Sequence, residues 1–276
     1  KEYKMKISLL QMKVLSTPLA NLDKIDKFLS EAHRRGTDIA VLPEMCCCPY
    51  ENDAFVKYAM EENDLFIREL SHYAKKYNLI LVAGTVPEKT SEGIYNTSFV
   101  FDTSGKIIAR HRKIHLFDIN IENGQYFKES DTFLAGKDIM KFDTKWGKIG
   151  LMICYDIRFP ELSRLMADDV KLIIVPASFN FSTGPKHWEL LFRARAVDNQ
   201  VYMAGCSAAT DYQSSYQSWG HSIITNPWGD VSKQLDNGEE ILTENLDFSY
   251  VEKVRQELPL LQHRRADLYR LNTIIK

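Results

Sequence analysis

The sequence predicts an α/β protein built from two similar halves. Three observations carry this expectation: short apolar runs that end at Gly or Pro, amphipathic stretches of helical spacing between them, and one strand–helix–strand–Pro order that occurs twice. Residues 6–12 read as a first strand. Residues 21–35 read as a helix with Leu22, Ile25, Phe28, Leu29 and Ala32 on one face and Gly36 ending it. The run 39–42 is a buried strand stopped by Pro43, which leaves Glu44 at its exit. A second helix is predicted over 64–77 and a third buried strand over 79–82. Strands 96–101 and 106–110 flank Asp102-Thr103-Ser104-Gly105, a composition that suits a hairpin turn. Beyond them lies the basic stretch Arg110-His111-Arg112-Lys113-Ile114-His115, and spacing alone does not say which cation points inward. Residues 119–136 have no clean period and read as a loop containing Glu129.

The second half repeats the first. Strand 149–153, which delivers Cys154 at its end, helix 160–167 and strand 172–175 with Pro176 correspond in order to 6–12, 21–35 and 39–42 with Pro43. Pseudo-symmetric sheets covered by helices would follow. Helix 185–198, strands 201–206 and 221–225, the turn 226–229 and a polar partner strand near 231–235 come next. Strand 240–247, a helix over 249–258 closed by Pro259 and a basic tail over 262–269 complete one expected domain, 1–276.

Composition narrows the function. With 276 residues, 45% hydrophobic and 26% charged, the chain can bury a large core, and its net charge of −2 argues against a nucleic-acid partner. No apolar run approaches the roughly 20 residues that span a bilayer. The charged start leads straight into a strand, so a cytoplasmic, membrane-free protein is expected. Five cysteines, at 46, 47, 48, 154 and 206, form no disulfide framework, and the adjacent three lack zinc spacing.

Motifs for dinucleotide, P-loop, serine-hydrolase and zincin chemistry are absent. What remains at strand exits is a thiol, a carboxylate and a lysine, a set sufficient for acyl transfer. Cys154, at a strand-to-helix junction near free N–H groups, is expected to favour the thiolate, with Glu44 as its base. A lysine ammonium plus a backbone N–H would hold an oxyanion. Asp156, Arg158 and Glu161 read as structural pairs around the junction.

Val-Leu-Pro-Glu-Met at 41–45, Arg-Lys-Ile-His-Leu-Phe-Asp at 112–118 and Cys-Tyr-Asp-Ile-Arg-Phe-Pro-Glu at 154–161 resemble the three signatures of the nitrilase superfamily of carbon–nitrogen hydrolases. Residues 179–191, 193–200, 226–229 and 264–269 are most similar to its omega-amidase branch. The resemblance implies a four-layer α-β-β-α sandwich, a homodimer or higher homo-oligomer, and no metal or organic cofactor. It also implies Glu44, Lys113, Glu129 and Cys154 as catalytic residues, with Lys113 and the Tyr155 N–H at the oxyanion. The implied substrate is a short dicarboxylic monoamide such as alpha-ketoglutaramate or alpha-ketosuccinamate, with Tyr50, Arg158, Arg193 and Arg195 as candidates for its carboxylate. An aliphatic amidase, an N-carbamoyl amidase or a nitrilase is the alternative within the superfamily. Outside catalysis, an idle amide-binding relative and a thiol redox protein using Cys46–Cys48 are the competing possibilities.

Overall fold

The computed structural model describes residues 3–122 and 125–274. The first half runs β1 (Lys4–Gln11), α1 (Pro18–Arg34), β2 (Ile39–Val41), α2 (Asn52–Lys57), α3 (Leu65–Lys76), β3 (Ile80–Val82), β4 (Val86–Lys89), β5 (Ile94–Phe101) and β6 (Ile107–Arg112). A small hairpin, β7 (Asp118–Asn120) and β8 (Tyr126–Lys128), leads into β9 (Met140–Thr144) and β10 (Gly147–Leu151). Then follow α4 (Pro160–Met166), β11 (Val170–Ala177), α5 (Gly184–Asn199), β12 (Tyr202–Ser207), β13 (Ile223–Thr225), β14 (Val231–Gln234), β15 (Glu240–Asp247) and α6 (Phe248–Glu257).

The repeat is more extensive than the sequence pattern alone conveys. One sheet has the order β15-β1-β2-β3-β5-β4, with β6 also on β5, and the other β14-β13-β12-β11-β10-β9. Each contains three consecutive parallel strands, β1-β2-β3 or β10-β11-β12, with an antiparallel neighbour on either side. Strand alternation then builds three apolar layers. Ile7, Leu9, Ile39 and Val41 of one sheet meet Leu172, Ile174 and Ala204 of the other in the central layer. Their neighbours Leu10 and Ala40 face outward to Leu22, Ile25, Phe66 and Leu70 on α1 and α3. Ile173, Val175 and Met203 face Trp188, Phe192 and Ala196 on α5. The result is the expected α-β-β-α stack.

Several boundaries differ from the expectation, each for a local reason. The first helix begins at Pro18, because Thr17 caps it by accepting from the Ala20 N–H at 3.3 Å and proline suits the first helical position. Pro176 does not stop its strand. It lies past Ile174, the last residue of β11 in register with β10, so its missing N–H breaks no bond of that ladder, while pairing with β12 continues to Ala177. The stretch 119–136 contains β7, β8 and a 3₁₀ turn, Glu129–Asp131, rather than loop alone. Short strands β4 and β9 carry too much charge and proline to show as apolar runs. Among the described residues, no helix is long and apolar enough to cross a membrane.

Candidate active site

Three strands end at one place. Glu44 follows β2, Lys113 follows β6 and Cys154 follows β10, so the chain presents them at the carboxyl edges of both sheets, where α/β folds collect ligand-binding groups. Tight packing holds Glu44 there: Gly84, with φ of +56°, runs so close that an added Cβ would lie 2.1 Å from the Pro43 carbonyl oxygen. In β6 the alternation decides the basic stretch. His111 and Lys113 turn inward and are buried, whereas Arg110 and Arg112 turn out to Glu62 and Glu88.

The Lys113 ammonium joins two buried carboxylates, lying 2.8 Å from Glu44 Oε1 and 2.9 Å from Glu129 Oε2. Burial works against its charge, but Glu129 and Glu44 outweigh that and raise its pKa above the ordinary lysine value. Asn96, which sequence inspection passed over, donates to Glu44 Oε1 at 3.0 Å and to Glu129 Oε1 at 2.9 Å. The Tyr50 hydroxyl does the same at 3.1 and 3.3 Å. Glu129 is further fixed by the Phe117 N–H, which donates to its Oε2 at 2.6 Å. The only sequence signal for Asn96 was a polar side chain within an otherwise β-forming strand.

Cys154 opens a five-residue 3₁₀ turn, Cys154–Arg158, with φ of +42°, a conformation uncommon for any residue but glycine. The turn is bolted down by Asp156. Its Oδ2 accepts from the Ile153 N–H at 3.1 Å and lies 3.3 Å from His111 Nε2, while Oδ1 accepts from the His115 N–H at 2.9 Å. Burial opposes the Asp156 charge, yet bonds to His111 and His115 hold the carboxyl far below its usual range. Since His111 and His115 flank Lys113, this one carboxylate ties the lysine segment to the cysteine turn. Asp156 is thus structural, as expected.

The expected thiolate is a correction. Burial and the neighbouring Glu44 charge push the Cys154 thiol well above its ordinary value, and the Lys113 charge and a Ser178 backbone contact only partly offset them. A short 3₁₀ turn has too little dipole to overcome 95% burial beside a carboxylate, given the 5% exposure of Cys154. Glu44 is itself raised above 4.5, by burial first, with Lys113 opposing and Glu129 reinforcing. The resting pair is therefore a neutral thiol facing a carboxyl group of elevated basicity.

The four candidates for the substrate carboxylate separate. Arg158 lines a cavity of ≈ 10 Å³ with Cys154, Tyr155, Ser178, Phe179 and Tyr216, and donates to His187 Nδ1 at 3.1 Å. Among the described residues no carboxylate pairs with it, so the expected structural pairing of Arg158 is not what the fold provides. Nor does Glu161 pair with a cation within salt-bridge distance there. Tyr50 is occupied by Glu44 and Glu129. Arg195 is spent on carbonyls of the cysteine turn, donating to Ile157 O at 2.9 Å and Arg158 O at 3.2 Å. Arg193 donates to Gly229 O at 2.8 Å and pairs with Glu189 on the exposed side of α5. Both are corrected to structural roles by these bonds. Cys46, Cys47 and Cys48 are packed in the core behind Glu44, and burial pushes the thiols of Cys46 and Cys47 up, which suits packing rather than redox exchange.

Replacing Asn96 with Ala should make the enzyme more acid-sensitive. Asn96 stabilises the ionised Glu44, the form that accepts the thiol proton, so its loss raises that pKa further. The acidic limb of kcat/KM against pH should move upward by about one pH unit, the worth of a bond to a charged group.

A buried thiol, a basic carboxylate and a fixed ammonium make the equipment for acyl transfer through a thioester. The sequence matches the carbon-nitrogen hydrolase family over residues 6–256, and the chain belongs to that family. Among its relatives, omega-amidase NIT2 of Danio rerio is 41% identical over 272 residues, covering 98% of each chain. Omega-amidase NIT3 of Saccharomyces cerevisiae is 44% identical over 276 residues, covering 96% of this chain and 95% of the other. The crystal structure of Saccharomyces cerevisiae Nit3, a member of branch 10 of the nitrilase superfamily, superposes with a TM-score of 0.88 at 41% identity, covering 96% and 97%.

Proposed function

We propose that this protein hydrolyses the terminal amide of short dicarboxylic monoamides, alpha-ketoglutaramate and alpha-ketosuccinamate among them, to the acid and ammonia. The omega-amidase relatives support this, and the observation that carries it is Arg158. A guanidinium that lines the nucleophile's own cavity and has no carboxylate partner among the described residues suits the free carboxylate of such a substrate, which it can hold through two parallel bonds.

In this mechanism Glu44 takes the thiol proton as Cys154 sulfur attacks the amide carbon. Lys113 and the N–H of Tyr155 hold the oxyanion; the first N–H groups of a helical turn have no partners within it. Glu44 passes the proton to the nitrogen, ammonia leaves and a thioester remains. Water, giving its proton to Glu44, then releases the acid. Glu129 keeps Lys113 in position.

Ammonia release across a panel of monoamides, carbamoyl compounds and nitriles, with Cys154→Ala as blank, tests this reading. Preference for nitriles or carbamoyl compounds would replace it with another activity of the superfamily. Arg158→Ala should raise KM for a dicarboxylic monoamide by about 10- to 100-fold, the worth of one charge-assisted pair. An uncharged monoamide of the same length should be affected much less.

The reading includes self-association. Leu190 and Val197 on α5, 62% and 41% exposed, and Trp228, 49% exposed, present apolar surface that a second copy would cover. Light scattering should give at least twice the 31.9 kDa chain mass, and Leu190→Glu should lower it.

A further inference from the structure

An arginine binds a carboxylate well only when the right edge of its guanidinium is presented, so what orients Arg158 matters as much as its charge. Its guanidinium carbon lies over the rings of Phe179 and Tyr155, 4.8 and 5.6 Å from their centroids. Cation–π attraction of this kind keeps the charge near the rings but does not decide which N–H points where. Direction comes from one bond. Arg158 Nη1 donates to His187 Nδ1 at 3.1 Å, and among the described residues this is the one hydrogen bond of the guanidinium. The Nε and Nη2 hydrogens are left over, and that edge matches the two oxygens of a single carboxylate.

Helix α5 holds Arg158 at both ends. Arg195 donates to the Arg158 carbonyl oxygen at 3.2 Å and fixes the backbone, while His187, in the first turn of the same helix, receives the side chain. The His187 N–H closes that turn on the Thr183 carbonyl oxygen at 2.8 Å, and the next residue, Trp188, packs edge-on against Phe179 with centroids 5.1 Å apart. The helix that steadies the ring beside Arg158 therefore also supplies its acceptor. Such a bond needs a neutral imidazole with its proton on Nε2, because a protonated ring has no lone pair to offer. Burial, then the charges of Arg158 and Lys186, hold the His187 pKa below its ordinary value and so favour that form. His187 does not line the cavity at Cys154, whereas Arg158 does.

We propose that His187 is a positioning residue for acid-bearing amides: by receiving Nη1 it turns the free Nε–Nη2 edge of Arg158 to the substrate carboxylate, without touching the substrate itself. The inference rests on Arg158 as the carboxylate site, proposed above.

Steady-state kinetics on succinamate and on butyramide, its uncharged counterpart of the same length, test this. His187→Ala should raise KM for succinamate about five- to tenfold, the worth of one hydrogen bond, with kcat and the KM for butyramide within about twofold of wild type. His187→Asn, which places an amide oxygen near the Nδ1 position, should restore most of the loss. In an Arg158→Ala background, His187→Ala should add nothing, because a positioning residue acts only through its partner. An equal rise in KM for both amides, a further rise on top of Arg158→Ala, or an Asn variant as impaired as Ala would overturn the proposal. Should His187→Ala not fold, His187→Leu, which keeps the volume without the acceptor, decides. Failure of the underlying reading looks different: Arg158→Ala alone would then leave the KM for succinamate unchanged.

Discussion

Lys113→Ala should lower both activity and stability. One lost oxyanion donor costs about 10²- to 10³-fold in kcat, and here the same ammonium also fixes both carboxylates, so the loss should be at least that large. Glu44 and Glu129 would remain buried and joined through Asn96 and Tyr50 with no cation between them. Breaking a buried ion pair from one side destabilises by about 3–5 kcal/mol, readable in urea denaturation. Lys113→Met, which keeps the packed stem, separates charge from volume: its stability loss should be nearly as large. The pH dependence gives a further check. In the wild type, the raised Lys113 pKa contributes stability that is fully present below its ordinary 10.5 and disappears as pH rises through the higher folded value. In the variants, stability should instead rise as pH falls, because protonating Glu44, whose pKa is already raised by burial, removes the repulsion. An Ala variant as stable as wild type at neutral pH would contradict the buried-triad account.

Cys154→Ala should abolish ammonia release, by on the order of 10⁴-fold or more, because the reaction then has no thioester to pass through. Its fold should change by no more than about 1 kcal/mol. The variant keeps Asp156 and its bonds to Ile153 and His115, which hold the turn independently of the thiol. Substrate should therefore still bind, measurable by calorimetry. Normal turnover by the Ala variant would remove Cys154 from the mechanism.

The two predictions draw unequally on the sequence. Glu44 and Cys154 were visible because each follows an apolar run, at 39–42 and 149–153, whereas Lys113 stood out from its basic stretch through the resemblance alone. Glu129 was visible through resemblance alone, since its segment has no period. Asn96, Tyr50 and Asp156 were harder to place in their roles. Asn96 bonds residues 33 and 52 positions away, and Tyr50 and Asp156, beside nearer partners at Glu44 and Ile153, reach Glu129 and His111 at 79 and 45 positions, and nothing local to each residue names those distant partners.

By itself, then, the sequence determined the α/β class, the repeated halves and the residue types at the strand exits, because strand and helix periodicity and proline stops are local properties. Tertiary structure decided what those residues are to one another. It turned Lys113 inward and Arg110 and Arg112 outward. It sent Arg193 and Arg195 to carbonyl oxygens and left Arg158 for the cavity. It also reversed the expected charge of Cys154, because a thiol's ionisation depends on burial and on Glu44, contributed by the other half of the repeat.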